Sequence, residues 1–116
     1  MKPKALFLIT SDPRHSPRPA EAIRIAAGVA AWRQVEITLY LHEAAARALV
    51  ESADRLGEEE NFAHYLPLLA RSGQPILLQQ HLPEAWRPLE TDLRFECIDE
   101  HQLARLALDS DYVVRF

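Results

Sequence analysis

Apolar residues run almost without break from Ala5 to Ile9, and Thr10 closes the run. An unalternated run is the mark of a strand covered on both faces, so Ala5 to Thr10 is read as a first strand. SDPRHSPRP follows, with Pro13, Pro17 and Pro19. This segment cannot be helical before Pro19, whose fixed φ suits a first helical turn. From Ala20 to Trp32 the period becomes helical. Ile23, Ala26, Ala27 and Ala30 recur at helical spacing, with Ile25, Val29 and Trp32 beside them. Gly28 and the alanines give a thin helix that can lie close to a sheet. VEITLYL, from Val35 to Leu41, then alternates: Val35, Ile37, Leu39 and Leu41 share one face, and Glu36, Thr38 and Tyr40 the other.

His42 ends that strand, and Glu43 to Ala53, rich in Ala and Leu, reads as a second helix. GEEEN, Gly57 to Asn61, breaks the pattern. Its glutamates suit the positive end of a further helix, which carries Phe62, Tyr65, Leu66 and Leu69. Pro67 should bend or shorten that helix, and Gly73 stops it. Pro75 to Leu78 is a third strand. Leu82 to Asp92 is irregular, with Pro83 and Pro88, and Leu93 to Ile98 is a fourth strand. Asp99 caps a helix whose apolar positions are Leu103, Leu106 and Ala107. After Ser110-Asp111, YVVRF is a fifth strand.

Strands and helices in this order predict one domain over residues 1–116. The expected fold is α/β, a three-layer α/β/α sandwich with a mostly parallel five-stranded sheet and right-handed crossovers. A chain of 116 residues buries enough of its own surface to need no staples. Apolar residues at 48% and charged residues at 26% are those of an ordinary globular domain.

Charge narrows the partners. The net charge is −4, and the cations are 11 Arg and 2 Lys with no cluster among them. Phosphate backbones need clustered cations, so nucleic acid is not expected as a partner. No apolar run reaches the roughly 20 residues of a membrane span. MKPKALFLIT is basic and then apolar, like a signal peptide, but its apolar run ends early at Ser11-Asp12-Pro13. The expected location is cytoplasmic, with no membrane association. Cys97 is the only cysteine, so neither an internal disulfide nor a Cys-rich zinc site can form.

Ligands of open parallel sheets bind outside the carboxyl ends of the strands. That rule selects Ser11, Asp12 and His15 after the first strand, and His42 after the second. It selects Gln79, Gln80 and His81 after the third, and Asp99 and His101 after the fourth. A dinucleotide site or a phosphate-cradling loop needs glycines in the first loop, and there are none; the G-x-S-x-G elbow is also absent. Ser11 would be a nucleophile only with His15 or His42 as its base. Histidines from three loops could converge on zinc, but no paired spacing such as H-x-x-x-H occurs, and no metal or cofactor is expected. Cys97 alternates with Leu93 and Phe95. It reads either as a small hydrophobe on their face or as a reactive thiol near the rim.

These residues carry a family likeness. ALFLITSDP, AEAIRIAAGVAAW, VEITLYLHEAAARAL, HYLPLLARSGQPILL and above all LARLALDSDYVVRF resemble the small DsrE/DsrF/DsrH and TusB/TusC/TusD sulfur-relay proteins over nearly the whole chain. The resemblance implies an α/β/α domain that assembles into trimers or hexamers. It also implies, in active members, a persulfide-bearing cysteine just after the third strand. The matching position here is Gln79 or Gln80, and an amide cannot hold a persulfide. The expectation is therefore a DsrE-like domain without the sulfur-carrying residue, a non-catalytic assembly or binding module. Alternatives are a sulfur carrier using Cys97 and a small-molecule binder at the rim of Ser11, Asp12, His15, His42, Gln79, Gln80 and His81. Trp86 either packs its loop onto the core or faces a partner.

Overall fold

In a computed structural model of the chain, the residues described are 2–49, 65, 68–69, 75–84 and 95–116. They form β1 (Lys4–Ile9), α1 (Arg18–Trp32), β2 (Glu36–Leu41), a 3₁₀ segment (Glu43–Leu49), β3 (Ile76–Gln79), β4 (Phe95–Ile98), α2 (Glu100–Asp109) and β5 (Tyr112–Arg115). Tyr65, Leu68 and Leu69 are also helical. The readings made for GEEEN, Phe62, Leu66, Pro67, Gly73, Trp86 and Leu93 lie outside the described residues.

The sheet has five strands in the order β4-β3-β2-β1-β5. Every described ladder is parallel. β1 is central: Lys4 to Ile9 align with Glu36 to Leu41 on one side, and Ala5 to Leu8 with Tyr112 to Arg115 on the other. The unalternated apolar run has its physical cause here. Ala5, Phe7 and Ile9 enter a core beneath α1, while Leu6 and Leu8 face α2.

The two layers differ in depth. On the α1 side, Ala20, Ala22, Ile23, Ala26 and Ala27 of the helix pack with Ile37, Leu39, Leu41, Ile76 and Leu78 of the strands. Small side chains let this helix lie low on the sheet. The other layer is thinner: Leu103, Leu106 and Ala107 of α2 rest partly buried on Leu6, Tyr40, Leu77 and Ile98. Tyr40, placed by alternation on the more polar face of β2, is only 4% exposed because α2 covers it.

The segment after β2 departs from the sequence reading. Glu43 to Ala53 was expected to be α-helical, yet Glu43 to Leu49 winds as 3₁₀ helix. Glu43 enters it with φ 51, and Ala45 N–H donates to the His42 carbonyl at 3.1 Å, a one-turn bond of the tighter kind. The left-handed entry turns the chain off β2 too sharply for an α-helix to begin at once. The start of α2 matches its reading: Asp99 accepts from Gln102 N–H at 2.7 Å, and the Gln102 side chain accepts from Asp99 N–H at 2.9 Å. This reciprocal capping box replaces two water contacts at the helix start.

Burial beneath α2 raises the Tyr40 phenol above its ordinary pKa of 10.0, and the nearby Glu100 carboxylate raises it further. The folded state therefore holds this proton more tightly than the unfolded chain does. The stability is fully present below pH about 10 and is lost as pH rises through the folded value. Tyr40→Phe should flatten the alkaline limb of the stability curve, as measured by urea unfolding between pH 8 and 11.

Candidate functional site at the carboxyl rim

Because every ladder is parallel, the carboxyl ends of all five strands lie on one rim. Chain direction divides this rim. β1 to β4 step outward one way, and β5 returns to the far side of β1, so the order reverses between β1 and β5. A reversal of this kind usually opens a ligand crevice. Here it is bridged. Thr10 N–H and Thr10 Oγ1 both donate to the Phe116 carbonyl, at 2.9 and 3.1 Å. Arg115 Nε reaches Thr10 Oγ1 at 3.4 Å, and the Phe116 ring rests on Phe7 with centroids 5.1 Å apart. Sequence reading selected none of Thr10, Arg115 and Phe116. Only the return of β5 to β1 brings them to this place.

The first-loop candidates serve the loop itself. Asp12 Oδ1 accepts from Arg14 N–H at 2.9 Å, and Asp12 Oδ2 pairs with Arg47 Nη1 at 3.1 Å. Both partners of that pair are largely buried, so it ties the first loop to the 3₁₀ segment. Arg47 went unnoticed in the sequence, although an acid after β1 and an Arg one turn beyond β2 are the pattern such a tie leaves. His15 is exposed and bonds only backbone to backbone, its N–H to the Asp12 carbonyl. Among the described residues, neither His15 nor His42 hydrogen-bonds Ser11. A serine nucleophile activated by either of them therefore has no geometric support.

At the ends of β2 and β3 the candidates do meet. His42 N–H donates to the Ile9 carbonyl, extending the ladder, and its Nε2 lies 3.4 Å from Glu43 Oε1. Gln79 Oε1 accepts from Glu43 N–H at 2.9 Å. The amide thus holds the backbone at the residue whose φ is 51. His81 has φ 61 and turns the chain off β3 in the same way. Two left-handed residues that are not glycine, at the ends of adjacent strands, are an uncommon pairing, each costing on the order of 1–3 kcal/mol.

Next to this tie lies a cavity of about 400 Å³ lined by Leu78, Gln79, Gln80, His81, Leu82, Phe95 and Cys97. Leu78 pairs with Cys97 across the β3–β4 ladder, and Gln80 N–H donates to the Ile98 carbonyl at 3.2 Å. Cys97 is exposed. The reading of Cys97 as a packed hydrophobe is therefore corrected: β4 is an edge strand, and the thiol opens onto the cavity rather than into the core. The lining is apolar at its base, with two amides, an imidazole and a thiol above. Among the described residues, no Asp, Glu, Lys or Arg lines it. Asp99 is committed to its cap and His101 is exposed on α2. Among the described residues no three His, Cys, Asp or Glu side chains are grouped to hold a metal ion.

No family model matches the chain, and no curated protein matches it. Among solved structures it is similar to the crystal structure of the ychN protein from E. coli, with a TM-score of 0.81 and 21% identity over 100% of both chains. At that identity the likeness speaks for the fold alone. It supports a DsrE-like α/β fold for this chain.

The Gln79–Glu43 tie makes opposite demands on its two partners. Glu43→Gly should leave stability unchanged or raise it, since glycine adopts a positive φ without a steric cost. Gln79→Leu should lower stability by about 0.5–1.5 kcal/mol, the net worth of a hydrogen bond whose exposed donor passes to water. Chemical denaturation of the two variants measures both.

Proposed function

We propose that this chain is a non-catalytic assembly or binding module built on the DsrE-like fold, related to sulfur-relay proteins and cytoplasmic. One observation carries the reading. At the end of β3, where the family resemblance puts a persulfide cysteine, stands Gln79, and its side chain is already engaged in holding the backbone of Glu43. A side chain fixed in that way is a brace for the rim. In this reading the chain works through association, as a homo-oligomer of the trimer or hexamer kind or with related subunits, and not with nucleic acid or membrane. Among the described residues no helix is long and apolar enough to cross a membrane. The oligomer is tested by light scattering at tens of micromolar: a mass of at least two chains is expected, and a strict monomer would count against the module reading.

A second reading is favoured by the exposure of Cys97 in the cavity that also holds Gln79, Gln80 and His81. The only thiol of the chain opens onto the same hollow as the position the family uses, from the next strand over. In this reading Cys97 takes up sulfur. Its thiolate attacks the outer sulfur of a donor persulfide, the donor leaves as a thiolate, and Cys97 becomes the persulfide. The same hollow, with its apolar base and amide edge, could instead take a small neutral molecule. Intact-mass spectrometry after incubation with a persulfide donor separates these readings. A carrier gains one sulfur on Cys97 in the native protein and none in Cys97→Ser, whereas a pure assembly module gains none.

A further inference from the structure

β5 is the outer strand on its side of the sheet, and Tyr112, Val113 and Val114 are 60%, 47% and 41% exposed. Among the described residues no strand pairs with its outer side, and an edge of that kind built of Tyr-Val-Val is a template for another strand. The orientation of its free groups follows from the ladder. Phe116 N–H donates to the Leu8 carbonyl at 2.8 Å, and the Phe116 carbonyl accepts from Thr10 N–H, so both its backbone groups face β1. Residues of a parallel ladder alternate in this respect. Tyr112 and Val114 therefore also bond inward, and the N–H and C=O groups of Val113 and Arg115 point outward. Asp111 lies just outside β5 and breaks the alternation, since its N–H donates to the Lys4 carbonyl at 2.8 Å.

We infer that β5 pairs antiparallel with β5 of a second copy of this chain, about a two-fold axis at Val113, joining two five-stranded sheets into one. The inference rests on the assembly reading above and specifies its interface. A two-fold axis normal to the sheet keeps each face on its own side, so only residues of equal parity can stand opposite each other. Centred on Val113, the register sets Val113 against Val113, Tyr112 against Val114, and Asp111 against Arg115, each across the axis. The outward backbone groups then meet. Val113 N–H reaches the Val113 carbonyl of the other copy twice by symmetry.

Side chains select this register. Asp111 and Arg115 are opposite in charge and fall together at both ends of the pair, where cross-strand ion pairs help. A shift by one pairing step, centring Val114, sets Arg115 against Val113 and loses both ion pairs. Tyr112 against Val114 is an aromatic and β-branched pair, among the favourable cross-strand partners. The present contacts of the two charged groups are compatible with the pairing. Asp111 Oδ2 accepts from Lys4 N–H at 2.8 Å and keeps its other oxygen, and Arg115 uses only Nε on Thr10. A four-residue strand makes a small interface, of the class of weak, transient contacts rather than permanent dimers.

Sedimentation velocity across a concentration series tests the inference, using the parent and Val113→Pro. The Val113 N–H faces outward, so proline removes it without touching the β1 ladder, the position where an edge strand tolerates it. The expected result is a dissociation constant at least tenfold weaker, with native circular dichroism. As a second arm, Val113→Cys combined with Cys97→Ser should cross-link to a dimer on mild oxidation, because facing residues of a bonded pair stand about 5.5 Å apart. Tyr112→Cys in the same background should cross-link far more slowly. A parent that associates while folded Val113→Pro associates equally well, or while Val113→Cys fails to cross-link, overturns the β5 interface and leaves the assembly reading standing. A parent that stays monomeric overturns both.

Discussion

The fold depends on burying a strand from both sides. β1 sits between β2 and β5, and Leu6 and Ile9 have no exposed surface. Full burial of such side chains stabilises by roughly 1.5–3 kcal/mol each. A strand apolar on both faces, however, needs a layer on each. α1 and the 3₁₀ segment supply one, and α2 the other. Helical crossovers make parallel ladders, and parallel ladders bring every strand end to one rim. The site follows from the core in this sense: the need to cover β1 twice decides where the polar residues gather.

The rim is also braced to different degrees. Between β1 and β5, Thr10, Arg115 and Phe116 fill the reversal of strand order with hydrogen bonds and a ring contact. Between β1 and β2, Asp12 and Arg47 tie the loops. Between β2 and β3, Gln79 holds Glu43. Beyond β3, where Gln80 N–H still reaches the Ile98 carbonyl, lies the cavity lined in part by Gln80, His81 and Cys97. At the reversal itself, where ligands of such sheets usually bind, the gap is closed by its own backbone and side chains.

The sequence disclosed the layers well and the site less well. Each element reads from a local pattern: the unbroken apolar run of β1, the alternation of β2, the cap at Asp99. The carboxyl rim then follows from alternation of strands and helices, which is why Gln79, Gln80 and His81 were found together. Local pattern fails where a contact joins distant segments. Arg47 meets Asp12 across 35 positions and Arg115 meets Thr10 across 105, with no periodicity to announce either. It fails also where composition and geometry conflict. EAAARAL has the residues of an α-helix, but Glu43 enters with a left-handed φ and the segment tightens to 3₁₀. Of the two readings of Cys97, the packed hydrophobe fails for a related reason. Alternation with Phe95 gives its face correctly, but burial requires a neighbour on that face, and an edge strand has one fewer.

The amide at the end of β3 is best understood through that geometry. A persulfide carrier needs a sulfur that is exposed and free to swing toward a partner. A brace needs the reverse, a fixed acceptor at hydrogen-bond distance from an otherwise unmatched N–H. Gln79 satisfies the second demand at 2.9 Å and so cannot satisfy the first. Its presence also makes room for the strained Glu43, since a left-handed residue persists only when its surroundings hold it. The chain's one thiol stands one strand away, across the ladder from Leu78, and is exposed. Bracing and exposure are thus divided between neighbouring strands: β3 ends in a support, β4 carries the exposed thiol, and the two line one hollow.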